Sequence, residues 1–281
     1  MIITVVGLGL IGGSFAKALS ARTKHTVWGI DTNPDTVKKA VEQGAVKKCV
    51  LPNDLNKSDV VILALPPHAE IEFFEKNADN FKKGGVVFDC CGIKRAIIEK
   101  ISPIAKQYGI NFVGAHPMAG REFSGFDYSL ENLFDKASFI VTTDNACDEA
   151  VDTVCGLAKE IGFGGIKVTD ANHHDRVIAY TSQLAHVVSS SYCKSPTIDE
   201  KEGFCAGSFA DMTRVGKLDA KLWTELFMLN ADDLQQEVEN LIKNLTEYKN
   251  ALAQRNEKEI SRLLKEGNDI KVNSLKKENR L

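Results

Sequence analysis

The chain has 281 residues, 43% of them hydrophobic, with a formal charge of −3 and acidic and basic residues interspersed along it. That length predicts two domains with apolar material enough for two cores, and the composition excludes a disordered or fibrous chain. The weak, mixed charge offers no basic field for nucleic acid and no polybasic stretch for an anionic membrane, so small molecules are the expected partners.

The first strand, 2–6, runs into Gly7-Leu8-Gly9-Leu10-Ile11-Gly12 and then into a helical stretch carrying Phe15, Ala16, Ala18 and Leu19. Glycines at this spacing between a strand and a helix form a dinucleotide-binding device. Gly7 permits the tight turn, Gly9 leaves room for a pyrophosphate, and Gly12 lets the helix pack on the strand. Leu10 and Ile11 open the helix, whose free N–H groups face phosphate. The second strand, 26–30, ends at Asp31, roughly the 20-residue distance at which a carboxylate accepts from both adenosine ribose hydroxyls. Asp31 would repel a 2′-phosphate, and Thr32 and Asn33 follow with no Arg to welcome one, which favours NAD over NADP.

Apolar runs recur at 60–65, 86–89, 112–115 and 139–142, separated by helix-compatible segments such as 71–81 and 95–108. The alternation predicts an α/β domain with a Rossmann-type, doubly wound parallel sheet, whose ligands lie beyond the carboxyl ends of the strands. Leu65 and Pro66, then Gly92, then the 116–122 stretch fall at such ends. The first three join the glycine loop as candidate cofactor contacts. His116, in Gly114-Ala115-His116-Pro117-Met118-Ala119-Gly120, is the candidate proton acceptor, since an imidazole titrates near pH 6.5.

After a strand near 166–168 the pattern changes: 171–192, 220–252 and 257–264 are helical in period. This divides the chain into a nucleotide-binding domain, 1–170, and an all-α domain, 171–281. The first of these helices sets Asp175, Ala179, Ser182, Gln183, His186 and Ser189 in one small, polar stripe, either a solvated face or the wall of a wet cavity. Arg214 follows Asp211-Met212-Thr213 and either pairs with Asp211 or offers a planar fork to a carboxylate. His173-His174-Asp175 reads as the polar start of a helix, and His25 and His68 show no evident partner. Cys90-Cys91 reads as buried volume and the tail 265–281 as frayed or solvated. Seven cysteines without a C-x-x-C pair predict a reducing cytoplasm, and no His has metal-site spacing to a second ligand, so no metal is expected. No apolar run approaches the ~20 residues of a membrane span, so a soluble protein is expected.

In combination, Gly7 to Gly12 with Asp31, the stretch from Gly114 through His116 to Gly125, His186, and Asp211-Met212-Thr213-Arg214 ahead of Trp223 resemble the prephenate dehydrogenase family over nearly the whole chain. The resemblance implies NAD-dependent oxidative decarboxylation of prephenate to 4-hydroxyphenylpyruvate in tyrosine biosynthesis, with arogenate the substrate of close relatives. It also implies a homodimer built through the helical domain. On this chain it implies that His116 accepts the ring-hydroxyl proton, that Arg214 binds a substrate carboxylate, and that His186 lines the same pocket, with Gln183 and Trp223 as further substrate contacts. Two positions depart from the family pattern. Gly92 stands where relatives often carry a serine that supports the histidine, leaving water, a main-chain group or Cys91 to orient His116. Arg121 stands where a small hydroxyl residue is commoner, as a second cation for the substrate. Glu122 either closes over the substrate or pairs with Arg121. A catalytically silent NAD-binding sensor is the alternative from another class, motivated by Gly92.

Overall fold

A computed structural model of the chain describes residues 1–121 and 123–277. The chain divides into two compact units, Met1–Ala231 and a second beginning at Asp232. In the first, strands β1 (Ile2–Val6), β2 (Thr26–Ile30), β3 (Lys48–Cys49), β4 (Val60–Leu63), β5 (Val86–Asp89), β6 (Asn111–Pro117), β7 (Ser138–Thr142) and β8 (Gly165–Thr169) form one sheet in the order β3-β2-β1-β4-β5-β6-β7-β8. The chain reverses its winding between β1 and β4, and the crevice outside those strand ends is where such sheets take their ligands.

Strands β1 to β6 run parallel, with Val6 beside Ile30 and Leu63, and Leu63 beside Asp89. The expected all-parallel sheet stops there, because β6 and β7 pair antiparallel, His116 opposite Ile140. A parallel return needs a crossover, usually helical. Among the described residues between β6 and β7 there is only the short turn Phe126–Tyr128.

Helices α1 (Leu10–Arg22), α2 (Pro34–Glu42), α3 (Pro67–Asn77), α4 (Arg95–Tyr108) and α5 (Asp148–Glu160) cover the sheet. Successive strand residues face opposite sides. Ile3 and Val5 accordingly join a core with Phe15, Phe88, Phe134, Phe139 and Phe163, while Val6 joins a second core with Phe74, Phe81, Ile97 and Phe112. Phe15 sits within 4.4 to 6.4 Å of four other phenyl rings. Truncating it to Ala is expected to cost ~3–5 kcal/mol.

The helical run predicted at 171–192 is α6 (Ala171–Ile178), a π-helical turn (Ala179–Gln183) and α7 (Leu184–Cys193). Asp170 caps it, accepting from the His173 N–H at 2.8 Å. Helices α8 (Gly207–Thr213) and α9 (Ala220–Met228) complete the first unit, and Arg214 opens the 3₁₀ turn between them.

The second unit holds α10 (Ala231–Ala253) and α11 (Glu257–Lys277). The run predicted at 220–252 is thus two helices, broken at Leu229 and Asn230. The tail expected to be frayed or solvated is helical through Lys277 and largely exposed: Arg262 pairs with Glu259 and Glu266, and Lys265 with Asp269, at helical spacing. Among the described residues no helix is long and apolar enough to cross a membrane.

Candidate active site

The cofactor side of the cleft is made of backbone. Gly7 has φ +84°, and a Cβ on it would lie 2.5 Å from the Ala64 carbonyl oxygen and 2.8 Å from Leu65 Cδ2. A Cβ on Gly12 would lie 1.8 Å from the Gly7 oxygen, so the turn closes only with hydrogen there. A Cβ on Gly9 would meet nothing within 4 Å: this position borders open space, as a phosphate cradle requires. Gly9 also caps α1 with no side chain, so Leu10 and Ile11 begin the helix with no side-chain acceptor on its first turn. Asp31 ties the loop in place, accepting from Leu8 N–H at 2.7 Å and Asn33 N–H at 2.8 Å, one bond to each oxygen. A carboxylate oxygen has a second lone pair, so both can still accept from a ribose. Pro66 is the N-cap of α3. These residues fit a dinucleotide.

The opposite side is built from side chains. His116, half-buried at the end of β6, sets Nδ1 3.0 Å from His174 Nε2, and His174 sets Nδ1 2.6 Å from Asp175 Oδ1. His174 and Asp175 are almost fully buried at the start of α6. Asp175 Oδ1 also accepts the Lys94 N–H at 2.8 Å and Oδ2 the Arg95 N–H at 2.9 Å, so the carboxylate sits on the N-terminus of α4. Burial works against its charge, but His174 and these N–H groups outweigh that and hold Asp175 below the ordinary carboxylate range.

With Asp175 ionised, the protons of the relay are assigned. Asp175 accepts from His174 Nδ1–H, so His174 Nε2 accepts from His116 Nδ1–H, and His116 Nε2 is left bare. Burial, then the neighbouring His174 and Lys94, push His116 well below the ordinary histidine value, and burial lowers His174 against the pull of Asp175. Both rings are neutral near pH 7, as a waiting base needs.

One sequence expectation is completed here and one corrected. His173-His174-Asp175 do lie in the first turns of α6, as expected, and from there His174 and Asp175 also support His116. The group that orients His116 is His174, acting on Nδ1, in place of water, a main-chain group or Cys91. Gly92 does lie at the site: a Cβ on it would come 3.8 Å from His116 Nε2. The signal that would have found the relay is helical spacing, since positions 174, 178, 182 and 186 share a face.

His116 Nε2 belongs to a cavity of about 310 Å³ whose wall includes Gly92, Ile178, Ser182, Gln183, His186 and Trp223. Ser182, Gln183 and His186 of the polar stripe thus face a cavity. The π-helical turn at Ala179–Gln183 adds a residue to the helix where this wall is formed, as such turns do at functional sites. Gln183 is engaged at both ends, donating to the Leu226 carbonyl at 3.0 Å and accepting from Asn230 at 2.9 Å. His186 Nδ1 lies 3.0 Å from the Val215 carbonyl and so donates to it, and its ring packs on Trp223 with centroids 3.6 Å apart. Burial lowers His186 as well, with Arg214 adding to the effect.

His186 and Trp223 also border a second chamber, of about 490 Å³, with Arg121, Phe123, Arg214 and Lys217 in its wall. Arg121 is exposed, its guanidinium 5.7 Å from the Phe123 ring centroid. Asp219 lines this chamber too, but its carboxylate caps α9 through the N–H groups of Lys221 and Leu222. Glu122 lies outside the described residues. His68 and His25 acquire partners: His68 N–H donates to Glu225 at 2.5 Å, and His25 Nε2 lies 3.0 Å from Glu160.

The family model of the prephenate dehydrogenase nucleotide-binding domain matches residues 15–166, and that of the prephenate dehydrogenase dimerization domain matches residues 170–266. The chain belongs to the prephenate dehydrogenase family. It is 28% identical to the prephenate dehydrogenase of Lactococcus lactis subsp. cremoris over 96% of this chain and 76% of that protein. The structure of prephenate dehydrogenase from A. aeolicus in complex with hydroxyphenyl propionate and NAD+ superposes with a TM-score of 0.86 at 27% identity, covering 97% of this chain and 98% of that one. Synechocystis arogenate dehydrogenase superposes with a TM-score of 0.83 at 26% identity over 98% and 100%. Within this oxidoreductase family, the glycine loop and Asp31 are the part of this chain that fits NAD.

Proposed function

We propose that this protein oxidises and decarboxylates prephenate to 4-hydroxyphenylpyruvate with NAD, in tyrosine biosynthesis. The observation that carries this reading is the bare Nε2 of His116, fixed from behind by His174 and Asp175 and facing a cavity beside the cofactor crevice. His116 Nε2 accepts the proton of the ring hydroxyl. When bound, NAD supplies the acceptor for the hydride of the same carbon. The ring C–C bond to the carboxylate then breaks, its electron pair completes the aromatic ring, carbon dioxide leaves, and the ring oxygen takes its proton back from His116 to give the phenol. The positive charge gained by His116 is spread along the relay toward Asp175.

Arg214, with Arg121 and Lys217 in the same chamber wall, binds the carboxylates, and His186 and Trp223 separate this chamber from the proton acceptor. These cations favour prephenate, a dianion, over arogenate, whose side chain carries an ammonium. The division at 170/171, a homodimer through the helical part and a cytoplasmic location are part of the same proposal, supported by the matched ranges 15–166 and 170–266 and by the name of the second domain.

The test is initial-rate NADH formation with prephenate and with arogenate, each repeated with NADP. Turnover of prephenate with NAD is the expected result; silence in all four combinations overturns the reading in favour of an NAD-binding sensor. In the same assay Arg121→Ala raises KM for prephenate and narrows the preference over arogenate, and unchanged kinetics would remove Arg121 from the site.

A further inference from the structure

Among the described residues Lys94 is the one fully buried lysine, with no exposed side-chain surface, and its ion-pair partner Asp89 is equally buried. Removing two charges from water costs several kcal/mol per ion, and apolar residues of the same volume often hold a core as well. The pair therefore calls for a purpose other than packing, and its hydrogen bonds supply one. Lys94 Nζ donates to Asp89 Oδ2 and, at 2.7 Å, to the carbonyl of Ala115. Asp89 Oδ1 accepts the N–H of the same Ala115 at 2.8 Å. Both peptide groups of the residue before His116 are thus gripped by one ion pair. At its other end, the backbone N–H of Lys94 donates to Asp175 Oδ1, the terminus of the relay, at 2.8 Å.

We infer that Lys94, held by Asp89, is a positioning residue that ties both ends of the His116–His174–Asp175 relay and places a cation behind His116. This rests on the reading of His116 as the proton acceptor. Burial acts to discharge the ammonium, but Asp89, its ion-pair partner, is foremost among the neighbours that outweigh it and keep Lys94 above its ordinary value. His174 from α6 touches His116 and is held by Asp175; Lys94 from the β5–α4 connection faces Asp89 from β5 and Glu70 from α3; His186 from α7 shares the cavity of His116. Of these, His174 and Lys94 are the ones that lower the proton affinity of His116.

Lys94→Met alone leaves Asp89 buried and unpaired and is expected to fold poorly. Asp89→Asn combined with Lys94→Met removes both charges and keeps an acceptor for the Ala115 N–H, so it is the informative variant. In it, kcat for prephenate falls ~100-fold, as for a base displaced by about 1 Å, while KM for NAD stays within about twofold. The acid limb of the kcat–pH profile moves upward by on the order of one pH unit, because the cation that depressed His116 is gone. Imidazole ¹⁵N NMR, with His116→Asn supplying the assignment, reads the same rise of His116 without any turnover. A folded double variant whose His116 titrates as in the wild type overturns the inference, whether or not kcat has fallen. Absence of turnover in the wild type counts against the proposed reaction alone, since the NMR shift still decides the role of Lys94.

Discussion

The two sides of the cleft are built from different materials. The cofactor side is a six-residue loop in which backbone N–H groups and the absence of Cβ atoms make the site, closed by a single carboxylate, Asp31. The side proposed to accept the proton is a line of side chains, His116, His174 and Asp175, drawn from β6 and α6 and anchored on the start of α4. A backbone site is local and tolerates little added volume. A side-chain relay is non-local, and what it cannot tolerate is a change in where its protons sit.

The largest expected effect breaks the relay at its buried end. Asp175→Asn keeps the shape but offers a donor in place of an ionised acceptor, so His174 and then His116 shift toward the wrong tautomer. We expect kcat to fall ~10²–10⁴-fold with NAD affinity little changed, by steady-state kinetics with a separate NAD titration. Retention of kcat within about threefold would remove Asp175 from the proton path.

Gly12→Ala attacks the other side. Its Cβ must displace the Gly7 carbonyl, which lies 1.8 Å from the built position, so NAD binding is expected to weaken by roughly tenfold or more in calorimetry while the titration of His116 stays put. Equal losses on both sides would mean that the two are not separable.

The smallest effect sharpens the comparison through stability. Glu70 is fully buried, and neither carboxyl oxygen has a hydrogen-bond partner among the described residues. Burial first, then Asp89, pushes it well above the ordinary carboxyl range. A carboxyl raised in the folded state stabilises the fold below its unfolded value near 4.5, and that contribution is lost as pH rises toward the folded value. Glu70→Gln should therefore raise Tm, and by more at pH 8 than at pH 5. A gap that narrows with pH would show that Glu70 is ionised and paired.

The difference in materials also explains what could be read from the chain. The glycine loop and Asp31 lie within the first 31 residues, and each position has a local physical reason. His116 was legible from its place at a strand end. The relay was not, because His116 and His174 are 58 residues apart and meet only after β6 and α6 are placed. The same holds for Lys94, which reaches Asp175 over 81 residues. The π-helical turn has no signature in composition, so 171–192 read as one helix. The tail, read as frayed or solvated, is a largely exposed helix through Lys277, because the spacing of Arg262, Glu266, Lys265 and Asp269 is that of paired charges along a helix.

The central claim is that a neutral, relay-held His116 accepts the proton of prephenate. It is tested most directly by the pH dependence of kcat for prephenate with NAD, using His116→Asn as the inactive control. Because His116 must be unprotonated to act and its proton affinity is lowered by burial, His174 and Lys94, activity should persist below pH 6.5 and fall away only at more acid pH. An acid limb at or above pH 6.5, or a His116→Asn variant with the wild-type profile, would contradict it.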